Sequence, residues 1–456
     1  MNPVGMSSVT ISLKLSSSNT VVEGPSVPID AKEQRRQVVK AVSASAIGTV
    51  FEWYDFLLYG VAAATVFPQK FFPAVDPFVG ILLSFSTVFV GFAARPVGAA
   101  IFGHYGDRVG RKALLIVTMM TMGVATVGIG LVPSYETIGI WGAVLLTIGR
   151  LVQGMSIGGE WSGGVLLAGE WSHPKRRAFT TSFAQAGGPA GMVLANAALA
   201  LMTAVTSEQE FLDWGWRIPF LASVVLVIVG LYMRLGVRET PVFTHHQAKG
   251  TLARAPVIEV VKRNWREIVL TALLRSGQQV PFYIFTTYVI TYGTQELGFS
   301  RGLILNLVMI QAIVSTMTVV LFGYLSDVYG RRRVIAFGCV VMIVFPFVYF
   351  AMLDTKSIVL VVLAIILGLP VNDLQYGAQA AFIAESFPGS LRYSGSALGF
   401  QLASVTAGGP APILAVLLFR EFGSSMAIAA YISICAVISL VCVYALTEHA
   451  GTFDHQ

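Results

Sequence analysis

Glu52 and Asp55 interrupt an apolar run, Gly48-Thr49-Val50-Phe51-Glu52-Trp53-Tyr54-Asp55-Phe56-Leu57-Leu58-Tyr59-Gly60. At i and i+3 they share a helix face, with Tyr59 one turn beyond Asp55. Arg95 interrupts the next run. At about 1.5 Å per residue, Glu52 lies ~15 Å and Arg95 ~14 Å from the same end of their runs. A carboxylate held between burial and a nearby cation can take up and release a proton when the cation moves. Glu52, Asp55 and Arg95 are therefore the candidate proton-coupling set. The plain alternative is a permanent ion pair that ties two helices together.

Later runs carry further polar residues where such residues are costly. Arg150 and Gln153 share a face, and Glu160 follows further in. Arg275 is followed by Gln278 and Gln279, and Asp373 by Tyr376. Arg275 lies ~12 Å and Asp373 ~15 Å from the same end of their runs. The two either neutralise each other or, with the amides and tyrosines, line a polar cavity. Arg275, Tyr59, Arg150, Gln153, Glu160, Gln278, Gln279, Asp373 and Tyr376 are the candidate solute-binding residues. No GxxxxGK[ST] pattern, metal-ligand set or nucleophile–base set occurs, so no enzyme chemistry, metal or cofactor is expected. Cys339, Cys435 and Cys442 lie in apolar runs without CxxC spacing and read as small core residues.

These residues need a frame, and the chain repeats its frame. Gly103-His104-Tyr105-Gly106-Asp107-Arg108-Val109-Gly110-Arg111-Lys112 returns as Gly323-Tyr324-Leu325-Ser326-Asp327-Val328-Tyr329-Gly330-Arg331-Arg332-Arg333, at an offset of 220 residues. Glu170 and Arg177 return as Glu385 and Arg392, and Gly187-Gly188-Pro189 as Gly408-Gly409-Pro410. Three echoes in one order mean two copies of one unit. Each first-named segment reads as a charged loop whose Asp can accept hydrogen bonds from a neighbouring helix N-terminus. It acts as a latch on one conformation.

Composition supplies the setting. Of 456 residues, 55% are hydrophobic and 12% charged, against about 25% charged in ordinary globular chains. Apolar runs of about 20 residues recur, as helices crossing a bilayer require. The expected fold is an all-α polytopic membrane protein of twelve spans in two six-helix pseudo-repeats. Spans fall near 42–67, 78–102, 113–131, 139–168, 178–204 and 217–235, then 267–293, 301–325, 333–353, 357–383, 393–419 and 424–446. Residues 1–40 read as a disordered tail, 41–235 as the first half, 236–266 as a basic linker, 267–447 as the second half and 448–456 as a short tail. Gly/Pro interruptions are expected in spans 5 and 11. The net charge of +6 does not imply nucleic acid, because the cations sit in alternate loops. With twelve spans, 22 of the 30 Lys and Arg face one side and 5 the other. The positive-inside rule makes the first side cytoplasmic and puts both termini there. Trp214, Trp216 and Arg217 read as an interfacial anchor on the other side.

The two loops, two halves and twelve spans resemble the major facilitator superfamily. Within it, Gly48-Thr49 through Glu52-Trp53-Tyr54-Asp55-Phe56 to Tyr59-Gly60 resembles the metabolite:proton symporter family, in its shikimate-transporter-like branch. So do Arg150 with Gln153-Gly154 and Gly158-Gly159-Glu160-Trp161, and Asp213-Trp214-Gly215-Trp216-Arg217-Ile218-Pro219-Phe220. The resemblance covers about residues 40–446. It implies a monomeric inner-membrane symporter that moves small organic acids, or zwitterions such as betaines, with protons. It places the family's cytoplasmic gate motif on Gly103, Gly106, Asp107, Arg108, Gly110, Arg111 and Lys112, beside Glu170 and Arg177. In the second copy Asp327, Arg331, Glu385 and Arg392 correspond, but Val328 stands where the first has Arg108. The expected partners are a small solute, protons and the lipid bilayer. A proton-driven exporter on the same fold and a channel or sensor are the competing readings. Saturable uptake that collapses with an uncoupler separates symport from channel flux.

Overall fold

The computed structural model describes residues 30–446. The disordered stretch expected over 1–29 and the short tail expected from 448, with residue 447, lie outside that range. Among the described residues there is no strand, and twelve long helices carry the fold. In the first half these are α1 Ala31–Thr65, α2 Pro77–Val109, α3 Arg111–Leu131, α4 Trp141–Trp171, α5 Arg177–Val205 and α6 Arg217–Leu235. In the second half α7 runs Trp265–Tyr283 and on through a π turn at Ile284–Tyr288 to Val289–Gln295. Then come α8 Arg301–Tyr329, α9 Arg331–Asp354 and α10 Ile358–Glu385. α11 runs Arg392–Ala403, passes a π turn at Ser404–Gly408 and continues as Ala411–Phe422, and α12 is Ser425–Ala445. Among the described residues, nine of these segments are apolar and long enough to cross a bilayer. The other three, α1, α4 and α7, carry Glu52 and Asp55, Arg150 and Glu160, and Arg275.

Helices extend past the apolar runs, because a backbone ladder does not need apolar side chains. α1 starts at Ala31, so the stretch 31–40 is helical, with Gln37 donating to Glu33 one turn back (2.8 Å). The expected charged loops are almost wholly helical too. α2 continues through Asp107 to Val109, and α3 starts at Arg111. The turn between them is Gly110 alone, at φ 122°; Gly330 does the same at φ 97°. Only glycine adopts such values without strain. The linker folds into two short helices, Pro241–Ala248 and Pro256–Arg263.

The Gly/Pro echoes have different outcomes. α5 runs unbroken through Pro189, and its glycines admit α1: a Cβ on Gly191 would sit 2.4 Å from the Val50 carbonyl oxygen. In α11 the π turn precedes Pro410, and a Cβ on Gly408 would meet Gln279 of α7 at 2.6 Å. Trp216 is also not at an interface. It is 2% exposed, in an aromatic cluster with Phe67, Phe71 and Phe220.

The tightest crossing is α2 on α4, where backbone meets backbone. A Cβ on Gly154 would lie 2.1 Å from the Gly91 oxygen, and one on Gly158 2.2 Å from the Arg95 oxygen. Small residues let membrane helices approach this closely, and that packing replaces the hydrophobic drive available in water. Gly158→Val must part the two helices. Its expected cost is at least the roughly 1–3 kcal/mol typical of overpacking. The check is the melting curve of the purified protein. A curve matching the wild type's would mean the crossing relaxes freely.

Candidate functional site

The face carrying the Gly110 and Gly330 turns is called the basic face. In the first half a closed polar network joins α1, α3 and α4. Asp55, fully buried, accepts from Thr126 (2.8 Å) and from the Gln153 amide (2.6 Å). Arg150 pairs with it at 3.7 Å and donates to Gln153 (3.3 Å). The Arg150 guanidinium also lies over the Tyr59 ring, 4.4 Å from its centroid, while the Tyr59 hydroxyl donates to Thr87 (2.7 Å). The cation facing Asp55 is thus Arg150, not Arg95. Depth along a helix was readable from the sequence, but the direction of each side chain around it was not.

Glu52 turns elsewhere, toward the contact between the halves. Its buried Oε2 has no hydrogen-bond partner. Arg95 is its strongest charged neighbour, and Arg275 from the second half is also in electrostatic reach. Arg95 lies over the rings of Phe92 (4.5 Å) and Phe56 (5.4 Å). Arg275 is 3% exposed and lies over the Phe400 ring at 3.4 Å, with Phe400 stacked on Trp161. It donates to Gln379 (3.1 Å) and lies 5.6 Å from the Tyr376 centroid. Gln279 donates to Ser404 (3.3 Å), and the Gln278 amide oxygen is buried without a partner. The structure thus gathers Glu52, Arg95, Arg275 and Tyr376 at the half–half contact, with Gln278 and Gln279 one turn beyond Arg275 on α7 and Gln279 turned to α11.

Tyr59, Arg150 and Gln153, expected at the solute, belong instead to the Asp55 network, and two further sequence candidates lie apart from both groups. Glu160 forms an ion pair with Arg234 and accepts from Thr118 (2.8 Å). Arg234, one of the 22 cations assigned to the cytoplasmic side, is fully buried at the end of α6. Glu160 is tied up in the first half's interior and is not available to a solute. Asp373 does not neutralise Arg275. It accepts from Thr318 of α8 (2.5 Å), because α10 points it away from α7.

At the basic face the two halves grip each other reciprocally. Asp107 of α2 accepts from the backbone N–H groups of Tyr393 (3.2 Å) and Ser394 (2.9 Å), capping α11. Asp327 of α8 accepts from those of Ala178 (3.1 Å) and Phe179 (2.7 Å), capping α5. The motif glycines make room: a Cβ on Gly106 would lie 2.4 Å from the Tyr393 ring, and one on Gly103 2.9 Å from the Ser394 Cα. Arg111 pairs with Asp107 (3.4 Å) and Glu170 (3.6 Å), and Arg392 of the second half reaches Glu170 (3.8 Å). In mirror fashion Arg331 pairs with Asp327 (3.1 Å) and with Glu385, which Arg177 of the first half meets at 3.8 Å. Arg108 is outside this cluster. It is exposed beside His104 (3.3 Å), so Val328 in the second copy removes nothing from the grip. Lys112 reaches the Leu235 carbonyl (3.0 Å).

Glu239 of the linker, which no motif marked, caps α3 by accepting from Arg111 N (3.0 Å) and Lys112 N (3.2 Å). Burial pushes its carboxyl above the ordinary range, against the pull of these N–H groups and of Arg111. Thr126, Phe400 and Ser394 were equally silent in the sequence, since a lone Thr, Phe or Ser in an apolar run carries no signal.

The family model described as Major Facilitator Superfamily matches residues 45–412. The Shikimate transporter of Escherichia coli (strain K12) is 40% identical over 405 residues, 88% of this chain and 92% of that protein. The Inner membrane metabolite transport protein YhjE of the same strain is 38% identical over 407 residues, covering 88% and 92%. Among solved structures, the proton:xylose symporter XylE bound to 6-bromo-6-deoxy-D-glucose superposes with a TM-score of 0.73 at 16% identity. That match covers 90% of this chain and 96% of the other.

Proposed function

The chain belongs to the Major Facilitator Superfamily and is a multi-pass membrane transporter, not an enzyme, and from that premise we propose that it imports a small carboxylate-bearing metabolite with protons by alternating access. The solute is an organic acid or a zwitterion. The membrane is the bacterial inner membrane, the basic face is cytoplasmic with both termini on that side, and the working unit is a monomer. The relative named as a shikimate transporter supports the solute class, and the relative named as an inner-membrane protein supports the location.

The observation that carries the reading is Arg275. It is a buried guanidinium between the halves, and among the described residues no carboxylate lies within ion-pair distance of it. A buried cation whose nearest counter-charge, Glu52, stays beyond ion-pair distance is costly unless something pairs with it more closely, and a solute carboxylate fits two parallel N–H donors. Asp55 with Arg150 supplies the proton-linked carboxylate. When Asp55 takes a proton, Arg150 loses its counter-charge and the α1–α4 contact loosens. The grip at the basic face supports a state closed to the cytoplasm, which must release for the solute to leave.

The test is uptake into proteoliposomes from a panel of labelled small carboxylates and betaines, with the lumen made alkaline. Saturable accumulation that collapses with a protonophore is expected. Accumulation indifferent to the protonophore, or flux that does not saturate, would end the proposal.

Asp107→Asn should slow turnover far more than it lowers membrane abundance, because it biases an equilibrium between conformations rather than the fold. Asp327→Asn should act to a similar degree, as the two caps are equivalent. Uptake rates normalised to protein amount are the check. Wild-type rates in both variants would leave the two aspartates as topological features only.

A further inference from the structure

We infer that Asp373, with the hydroxyls of Thr318 and Ser315, forms a second monovalent-cation site, set in the α8–α10 interface and separate from Asp55. The first ground is charge balance. Asp55 has Arg150, Glu160 has Arg234, Glu170 has Arg111, and Glu385 has Arg331. Asp373 is 1% exposed, and among the described residues no basic side chain stands within ion-pair distance of it. Its neighbours are uncharged. Thr318 donates at 2.5 Å, and Ser315 is a second hydrogen-bonding hydroxyl. On α9, Cys339 contacts Gln375 (3.4 Å); on α5, the Gln185 amide goes to the Tyr376 carbonyl (3.4 Å); on α7, Arg275 goes to Gln379. Tyr376 is the titratable group within its electrostatic reach. An ionised carboxylate so placed is far too costly to stand alone. A proton or a metal cation must share the site.

The second ground is a set of orphaned polar atoms. Gln311 lies one turn before Ser315 on α8, is fully buried, and neither of its amide atoms has a partner. Asn372, beside Asp373, is fully buried with both side-chain atoms unpaired. Gly368, one turn before Asn372, admits the Gln311 amide: a Cβ there would meet its nitrogen at 2.7 Å. The interface therefore holds a carboxylate with two hydroxyls and, on the neighbouring turns of α8 and α10, two buried amides whose oxygens are free to turn to a cation. Such an all-oxygen set suits a hard cation, while the carboxylate alone suffices for a proton. α10 also carries Tyr376 and Gln379, which touch Arg275. Occupancy on one side of α10 is thus linked to the solute anchor on the other. That consequence rests on the proposed ion-coupled transport; the binding event does not.

The experiment melts the purified full chain in detergent, across pH about 5 to 9, in sodium or matched choline chloride. Wild type, Asp373→Asn, Thr318→Val and Asp55→Asn are compared. The readout is the melting temperature of wild type minus that of Asp373→Asn, which cannot ionise. If the cation is a proton, this difference falls as pH rises in choline and sodium does not restore it. If the cation is sodium, added Na⁺ raises the difference at fixed alkaline pH. In either case the same subtraction made on an Asp55→Asn background, which removes the proton linkage of Asp55 from both arms, gives the wild-type dependence, and Thr318→Val shifts the half-saturating concentration roughly ten-fold. A difference flat against both pH and Na⁺ overturns the site. Should Asp373→Asn fail to fold, Thr318→Val carries the test alone, and half-saturating values matching the wild type's overturn it. Uncoupled uptake would sink the proposed symport and leave these melts untouched.

Discussion

Asp55→Asn is expected to abolish proton-driven accumulation while leaving solute exchange in place. The amide keeps the shape of the carboxylate and can still accept from Thr126 and Gln153, which hold Asp55 at 2.8 and 2.6 Å. It carries neither charge nor exchangeable proton, so Arg150, 3.7 Å away, would feel the same neighbour in every state. For one proton per solute, each pH unit of gradient is worth about 1.4 kcal/mol, or about ten-fold in accumulation. The variant should lose that factor entirely, its internal solute stopping at the external concentration. Exchange of labelled for unlabelled solute needs no net proton movement and should persist. Accumulation at the wild-type ratio under an imposed gradient would refute the role of Asp55. The expected outcome would then shift to Glu52→Gln, since Glu52 faces Arg95 and Arg275 at the contact between the halves.

Those two carboxylates show where sequence reasoning stops. Residues i and i+3 are about 60° apart around a helix, close enough to share a face and far enough to meet different neighbours. Asp55 meets α3 and α4; Glu52 meets Arg95 of α2 and, across the contact, Arg275 of the other half. Charges in apolar runs announced themselves, so Arg150, Arg275 and Asp373 were legible as deep residues. Their partners were not, because a rise per residue gives depth and says nothing of azimuth. Arg234 shows a related blindness. Its place at the end of an apolar run put it among the cations of the cytoplasmic side, whereas it is buried against Glu160. The repeat was the most legible feature, since a 220-residue offset needs no geometry. At that offset Arg275 corresponds to Asp55, and Asp373 to Gln153. The halves thus exchange the sign of their key charge, a relation that becomes meaningful only once the two positions are seen on equivalent helices.

Arg275→Lys is expected to raise the half-saturating solute concentration roughly ten- to a hundred-fold, the cost of one charge-assisted contact of about 1.5–3 kcal/mol. Lysine keeps the charge and loses the planar fork that binds a carboxylate through two parallel hydrogen bonds. It also loses the face that lies on Phe400 at 3.4 Å. Two explanations of such a loss must be separated. If Arg275 served mainly to balance Asp373, the double change Arg275→Gln with Asp373→Asn would restore what either single change destroys. The geometry argues against that, because Asp373 turns to Thr318 and Arg275 to Gln379. The double variant should therefore stay as weak in solute affinity as Arg275→Gln alone. Protonophore sensitivity of the remaining uptake should persist in Arg275→Lys, since Asp55 and Arg150 are untouched. A Lys variant with wild-type affinity, or a double variant with uptake restored, would move Arg275 out of the solute site. The cation that meets the carboxylate would then have to be Arg95, the remaining guanidinium beside Glu52, which lies over Phe92 at 4.5 Å.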